Sequence, residues 1–267
     1  MTALTHALGD ASVVAKRNII KIKRVPEVLV FVVLSPIMFV LLFAYVFGAS
    51  IEAPGGYREF LIAGIFAQTV LFGATFTGAG IADDMQKGII NRFRSLPMSR
   101  SAVLAGRTAS DVVYNIISVG IMGLTGLIVG WRIRGSLLDA VGGFLLLLVF
   151  AYAFSWVMAL IGLLVPSPEV INNASFMILF PITFISNAFV PSDNLPTVLR
   201  TFAEWNPVSS ASQATRELFG NIPAGTPEPS SWPLANPVVY TLIWTVVIFA
   251  VFAPLAVRQY ARATAKS

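Results

Sequence analysis

The sequence predicts an all-α integral membrane domain of six transmembrane helices, and three observations carry that prediction. Of the 267 residues, 56% are hydrophobic and 12% are charged, and the mean hydropathy of +0.79 lies well above that of a soluble domain of ordinary composition. Six separate stretches approach the roughly twenty apolar residues that a helix needs to cross a bilayer core of about 30 Å. Lys and Arg, finally, are shared unequally among the segments that join those stretches. Helices are expected because a helix satisfies its own backbone groups in lipid.

The first element is residues 4–24. Leu4, Leu8, Ala11, Ala15, Ile19 and Ile22 fall on one face of a helix, with Lys16, Lys23 and Arg24 elsewhere on the wheel. The pattern fits a helix in the inner membrane interface with its cations toward lipid phosphates; a solvated basic tail is the alternative. The spans follow at residues 28–48, 60–82, 112–130, 141–165, 172–190 and 238–257. The first is longer than the apolar region of a cleaved signal and is expected to be retained. The fifth carries Asn172, Asn173, Pro181 and Asn187, polar or helix-breaking residues that a membrane tolerates where they face protein or a wet cavity.

With the N-terminus inside, thirteen Lys and Arg lie on inner segments and five lie outside: Arg58, Arg132, Arg134, Arg200 and Arg216. Both termini are therefore expected in the cytoplasm, with Arg132 and Arg134 running against the rule. Between the last two spans, residues 197–219 have amphipathic helical spacing broken at Pro207, whereas residues 220–236 are rich in Gly and Pro and read as a loop. The first part is expected as short extracellular helices resting on the outer membrane surface, with Phe202 and Trp205 at headgroup depth. No repeat of 20 to 50 residues is evident. A single domain over residues 1–267 results: 1–27 interfacial, 28–190 the first five spans, 191–236 the outer loop, and 237–267 the last span and tail.

Composition also excludes functions. There is no cysteine, and His6 is the only histidine, so thiol, zinc and triad chemistry lack parts. The net charge of +5 is accounted for by anionic lipid headgroups without nucleic acid. No Lys follows a Gly, so no P-loop can cradle nucleotide phosphates, and energy must come from another chain or from an ion gradient. An ion-driven carrier needs ionisable groups inside its spans; Asp111 and Asp139 read as span ends, and Glu169 as part of a turn. Ser155 and Ser186 have no candidate base nearby in sequence and read as packing hydroxyls. On the second span Thr69, Gly73, Thr77 and Gly80, and on the third Gly120, Gly123, Gly126 and Gly130, mark faces of close helix approach. Gln68, Thr69, Thr75, Asn172, Asn173 and Asn187 either pack or line a translocation path.

Residues 83–101, DDMQKGIINRFRSLPMSRS, join spans two and three. Pro97 ends any helix there, so residues 84–96 are expected to form a short one. Met85, Ile89, Phe93 and Leu96 would make an apolar ridge on it, with Lys87, Arg92 and Arg94 elsewhere. Such a ridge either docks on a partner or folds back on the membrane.

The string KGIINRFRSLPMSRSAVLAGR resembles the cytoplasmic loop of ABC-2 type permeases, in particular the daunorubicin-resistance-like drug-efflux permeases. FPITFISNAFVPSDNLP, followed by WNPVSSASQATREL, is similar to the second signature of that family. The family often has an acidic residue just before the loop glycine, whereas Asp83 and Asp84 sit earlier here, which leaves their role unassigned. The resemblance implies a coupling helix in which Gly88, Ile89, Arg92, Phe93, Arg94, Leu96 and Pro97 meet a cytoplasmic ATPase subunit. It implies two such subunits, which bind ATP and Mg, and two permeases, either identical or related. No catalytic or cofactor-binding residue is then expected in this chain. The implied function is export of a hydrophobic or amphiphilic drug, natural product or lipid across the cell membrane, with a glycan or glycolipid as the alternative cargo and with spans two and five bordering the route.

Overall fold

The computed structural model describes residues 12–18, 20, 26–47, 56–89 and 100–265. Among them every regular element is helical. Residues 12–18 form a short N-terminal helical segment. Helix α1 runs Pro26–Leu42 and continues as a π-helical stretch, Phe43–Phe47. Helices α2 (Tyr57–Gly73) and α3 (Thr75–Gln86) are two parts of one span, separated at Ala74. Helices α4 (Arg100–Ile128), α5 (Leu137–Gly162) and α6 (Pro168–Phe184) follow. After them come α7 (Thr197–Glu204), α8 (Pro207–Leu218), α9 (Trp232–Ala235) and α10 (Pro237–Ala265).

Four helical stretches are long and apolar enough to cross a membrane: Tyr57–Gln86, Val103–Ile128, Leu137–Gly162 and Pro237–Ala263. The chain is thus an all-α, multi-pass membrane protein. The fifth expected span departs from its predicted bounds. Helix α6 has 17 residues and ends at Phe184, a rise of about 26 Å, shorter than the hydrocarbon core. Pro181 supplies no amide hydrogen, and Ile185 leaves helical geometry with its own amide bonded to the Pro181 carbonyl at 2.8 Å. Residues 186–189 are nevertheless buried, so the chain continues inside the protein as an irregular turn.

The bundle is built around α2, in which every residue from Phe60 to Leu71 except Thr69 is buried. It packs against α4, α5 and α8. The Phe66 ring lies 5.6 to 5.8 Å from those of Trp131, Phe144 and Phe219, an aromatic cluster that fills one end of the bundle. A second apolar cluster, with Ile81, Leu104, Trp156, Ala253 and Tyr260, fills the other end between α3, α4, α5 and α10.

The expectation for residues 197–219 holds for the two helices and for the break at Pro207, and fails for their placement. Phe202 and Trp205 are half exposed, as a surface helix requires. Helix α8, however, is not on the surface: Val208–Ser212 and Ala214–Arg216 are buried, and the helix packs against α2, α5 and α10. Its polar composition is compatible with burial because its hydroxyls bond inward. Ser210 Oγ donates to Pro207 O, Ser212 Oγ to Val208 O and Thr215 Oγ1 to Ala211 O, at 2.7 to 2.9 Å.

Gly64 of α2 is where the irregular turn seats. A Cβ placed there would lie 1.8 Å from the Ala188 carbonyl oxygen. Gly64→Ala is therefore expected to destabilise the fold by about 2 kcal/mol, read as a lower thermal unfolding midpoint of the purified protein in detergent. An unchanged midpoint would show that the turn can move aside.

Candidate functional site

The basic loop begins differently from its sequence-based expectation. Residues 84–86 belong to α3, which ends at Gln86, so the short helix does not start at Asp84. Lys87 and Gly88 form a turn in which Gly88 adopts φ 66°, a left-handed conformation suited to glycine. The amides of Lys87 and Gly88 bond back to Asp83 O and Met85 O, each at 3.0 Å. Met85 packs on the apolar cluster at this end of the bundle and is not part of a free ridge. Lys87 is solvent-facing and pairs with Asp83 at 2.7 Å, a hydrogen bond that holds its ammonium above the ordinary lysine range. Ile89 is helical and half-buried. Arg92, Phe93, Arg94, Leu96 and Pro97 lie outside the described residues.

Where the loop leaves and rejoins the bundle, α3 and α4 meet along a polar seam. The small residues expected to mark close approach do so, but against polar partners. A Cβ on Gly80 would lie 1.9 Å from a guanidinium nitrogen of Arg107, and one on Gly73 would lie 2.3 Å from Asn115 Oδ1. Between them Thr77 Oγ1 donates to Asp111 Oδ2. Arg107 donates through an η-nitrogen to the Phe76 carbonyl at 2.8 Å and holds its Nε 3.8 Å from Asp111 Oδ2. The N-terminal segment closes the seam from the loop side. Arg17 pairs with Asp84 at 2.8 Å, Asn18 Nδ2 donates to Ser110 Oγ at 3.3 Å, and Val14 is buried. Val14 and Asn18 face the bundle, and Arg17 faces a carboxylate.

Asp111 is the residue that sequence reasoning misplaced. It lies about 16 Å along α4 from Arg100 and is fully buried, not at a span end. Hydropathy alone starts this span at residue 112, because Arg107 and Asp111 depress the window; the helix itself begins at Arg100. The signal available beforehand was the pairing of Arg107 with Asp111 at i, i+4 opposite the Gly80–Thr77–Gly73 stripe. The glycine stripe of α4 is less consequential, since only Gly126 touches a neighbour closely and Gly120 meets nothing within 4 Å.

At the opposite end Arg216, counted above among the external cations, is buried inside the bundle. Its Nε donates to Phe60 O at 2.9 Å, and one η-nitrogen donates to Asn187 O at 2.7 Å and to Ala188 O at 3.3 Å. The guanidinium carbon sits 3.6 Å from the centroid of the Phe60 ring. Asn206 completes this junction by donating to Ile182 O and Ile185 O at 2.7 and 2.9 Å.

The six candidate path residues are spread over α2, α3, α6 and the turn beyond α6. Gln68 is buried within α2, Thr69 Oγ1 donates to Met122 Sδ at 3.5 Å, and Thr75 Oγ1 caps Phe72 O at 2.7 Å beside the break at Ala74. Asn187 lies in the irregular turn beyond α6, its amide bonded to Ser209 Oγ at 2.9 Å. Asn172 and Asn173 are exposed on the face of α6 opposite Ile171, Ser175, Leu179 and Thr183, which pack inward. Phe176, Met177 and Phe180 share their outward side.

Comparison with known proteins bears on the whole chain. Residues 10–219 match the family described as ABC-2 type transporter. The daunorubicin resistance ABC transporter permease protein DrrB1 of Streptomyces coeruleorubidus is 33% identical over 245 residues, covering 91% of this chain and 83% of that protein. The doxorubicin resistance ABC transporter permease protein DrrB of Mycobacterium tuberculosis is 25% identical over 206 residues, covering 77% of this chain and 71% of that one.

Arg216→Met would leave the Phe60, Asn187 and Ala188 carbonyls without a charged donor in an apolar interior, a loss of about 3 kcal/mol. Arg216→Lys is expected to recover only part of it, because an ammonium cannot reproduce the planar fork. Thermal unfolding in detergent checks both, and equal midpoints for wild type and Arg216→Met would refute the role.

Proposed function

Because the chain belongs to the ABC-2 type transporter family, with DrrB-like drug-resistance permeases among its relatives, we propose that it is the membrane subunit of an ABC exporter. Its cargo in this reading is a hydrophobic or amphiphilic drug, natural product or lipid. The observation that carries the proposal is the 33% identity to a daunorubicin resistance permease across 91% of the chain. The absence of any Gly-Lys pair in the sequence fits a division of labour in which a separate ATPase subunit binds ATP and Mg.

In this reading residues 88–97 lie in the cytoplasm, as do both termini, and the protein resides in the plasma membrane. Ile89, Phe93 and Leu96 enter a groove on the ATPase subunit, Arg92 and Arg94 pair with carboxylates at its rim, and Gly88 and Pro97 delimit the docked helix. Two ATPase subunits serve two permeases. The second permease, an identical or related chain, covers the outward face of α6, because Asn172 and Asn173 are costly to leave in lipid. Aromatic, Met and amide side chains on that face suit an apolar cargo with a few polar groups.

Phe93→Ala is expected to weaken docking by about 2 kcal/mol, roughly thirtyfold. Co-purified permease and ATPase subunits in vesicles would show this as lost stimulation of ATP hydrolysis and lost ATP-dependent uptake of daunorubicin. Wild-type coupling in the variant would refute the docking role. Uptake of a sugar-lipid in place of daunorubicin would move the cargo to the glycolipid class.

A further inference from the structure

Among the described residues the two buried carboxylates are Asp84 and Asp111. Both lie where α3, α4 and the N-terminal segment meet. Helix α3 leads into the loop and α4 leads out of it; Asp84 sits near the loop end of α3 and Asp111 about 16 Å further along α4 from Arg100. Burying a carboxylate against a partner gives little net stability compared with apolar packing of the same volume. A seam of Leu and Ala would hold two helices as well. What the polar seam supplies is register. Thr77 meets Asp111 and Gly80 admits Arg107, and a slip of one turn would leave a fully buried carboxylate without its hydroxyl and drive the guanidinium into backbone.

Register matters here because of the break at Ala74. Above it α2 is locked into the core; at Ala74 the helix runs on through a distorted turn, its amide bonded to Leu71 O at 3.1 Å and Thr75 Oγ1 bonded to Phe72 O. A push delivered at the loop end of α3 alone would be absorbed as bending at that break. Helix α4 has no such break and runs 29 residues from the loop to the far end of the bundle. Tied to α4, α3 passes a push onto a helix with no such distortion, in addition to its packing on α5 and α6.

We propose that Asp111 is a positioning residue that locks α3 to α4, so that the two helices flanking the loop move as one lever. Arg107, with its Nε 3.8 Å from the Asp111 carboxylate, carries the tie onto α3 by its own bond to Phe76 O. Arg17 and Asn18 strap the same two helices from the loop side through Asp84 and Ser110. The proposal rests on the reading that the loop docks on an ATPase subunit.

The chain has no cysteine, so a label pair is clean to introduce. Gln86→Cys and Ala109→Cys place spin labels on exposed positions of α3 and α4. In the wild-type complex with its ATPase subunit, the inter-label distance is expected to keep one narrow distribution before and after trapping with ATP and vanadate. Asp111→Leu is expected to broaden it and to lower permease-stimulated ATP hydrolysis about fivefold, while the complex still assembles. The double variant Arg107→Gln with Asp111→Asn removes both charges but keeps the hydrogen-bonding groups, and it should restore the narrow distribution and most of the stimulation. Should Asp111→Leu fail to fold, Thr77→Val removes only the hydroxyl and carries the same expectation.

A wild-type distance that shifts on trapping would overturn the lever, as would an Asp111→Leu protein with unchanged distances and unchanged stimulation. If the wild-type permease fails to stimulate the ATPase at all, the docking reading falls. The lock is then judged on the label distances in the permease alone.

Discussion

The guanidinium of Arg216 closes one end of this bundle, and the packing of three elements depends on it. Helix α6 stops at Phe184, short of the membrane's thickness, and the chain turns through residues 185–191 inside the protein. Carbonyls released from a helix in an apolar interior cost several kcal/mol each unless a donor reaches them. Arg216 reaches two of them and a third on α2, and Phe60 supplies an aromatic face for its charge. Gly64 lets the turn approach closely enough for this to happen. The arrangement fixes α8 between α2, α5 and α10, and with it the end of the molecule filled by Phe66, Trp131, Phe144 and Phe219.

The opposite end is organised by a different economy of polar groups. There the carboxylates of Asp84 and Asp111 are matched by Arg17 and Arg107, and the helices that flank the loop meet through hydroxyl, amide and guanidinium contacts. One end is therefore held by a cation on carbonyls, and the other by the Arg17–Asp84 pair and by the Arg107–Asp111 pair of α4, which reaches α3 through Phe76 O and Thr77. The break at Ala74 separates the two regimes along a single span, with α2 belonging to the first and α3 to the second.

Much of this was legible beforehand. Four of the six apolar stretches are helices long and apolar enough to cross a membrane, while the first and fifth give shorter ones; the helix pair around Pro207 is where its spacing put it, and Gly73, Thr77 and Gly80 do mark a close approach. The errors share one cause. Serine, threonine and arginine in α8 read as a water-facing surface, yet hydroxyls that bond their own helix and a guanidinium that finds three carbonyls are as acceptable inside as leucine. Likewise, a hydropathy window ends a span at Asp111 because it scores each charge alone, whereas Arg107 and Thr77 make that charge tolerable within the helix. Asn172 and Asn173 lie on the outward face of α6, because Ile171, Ser175, Leu179 and Thr183 claim its inner one.

By itself the sequence determined the class of the molecule: apolar runs of bilayer length force helices, and the loop strings tie the chain to its family. Helical periodicity says which residues share a face, but it cannot say what that face meets. Only the tertiary structure decided that α8 is interior, that Asp111 faces Thr77, and that Arg216 serves the end of α6. Each is a meeting of residues far apart in the chain, and whether a buried polar group is stable depends on the partner it finds there.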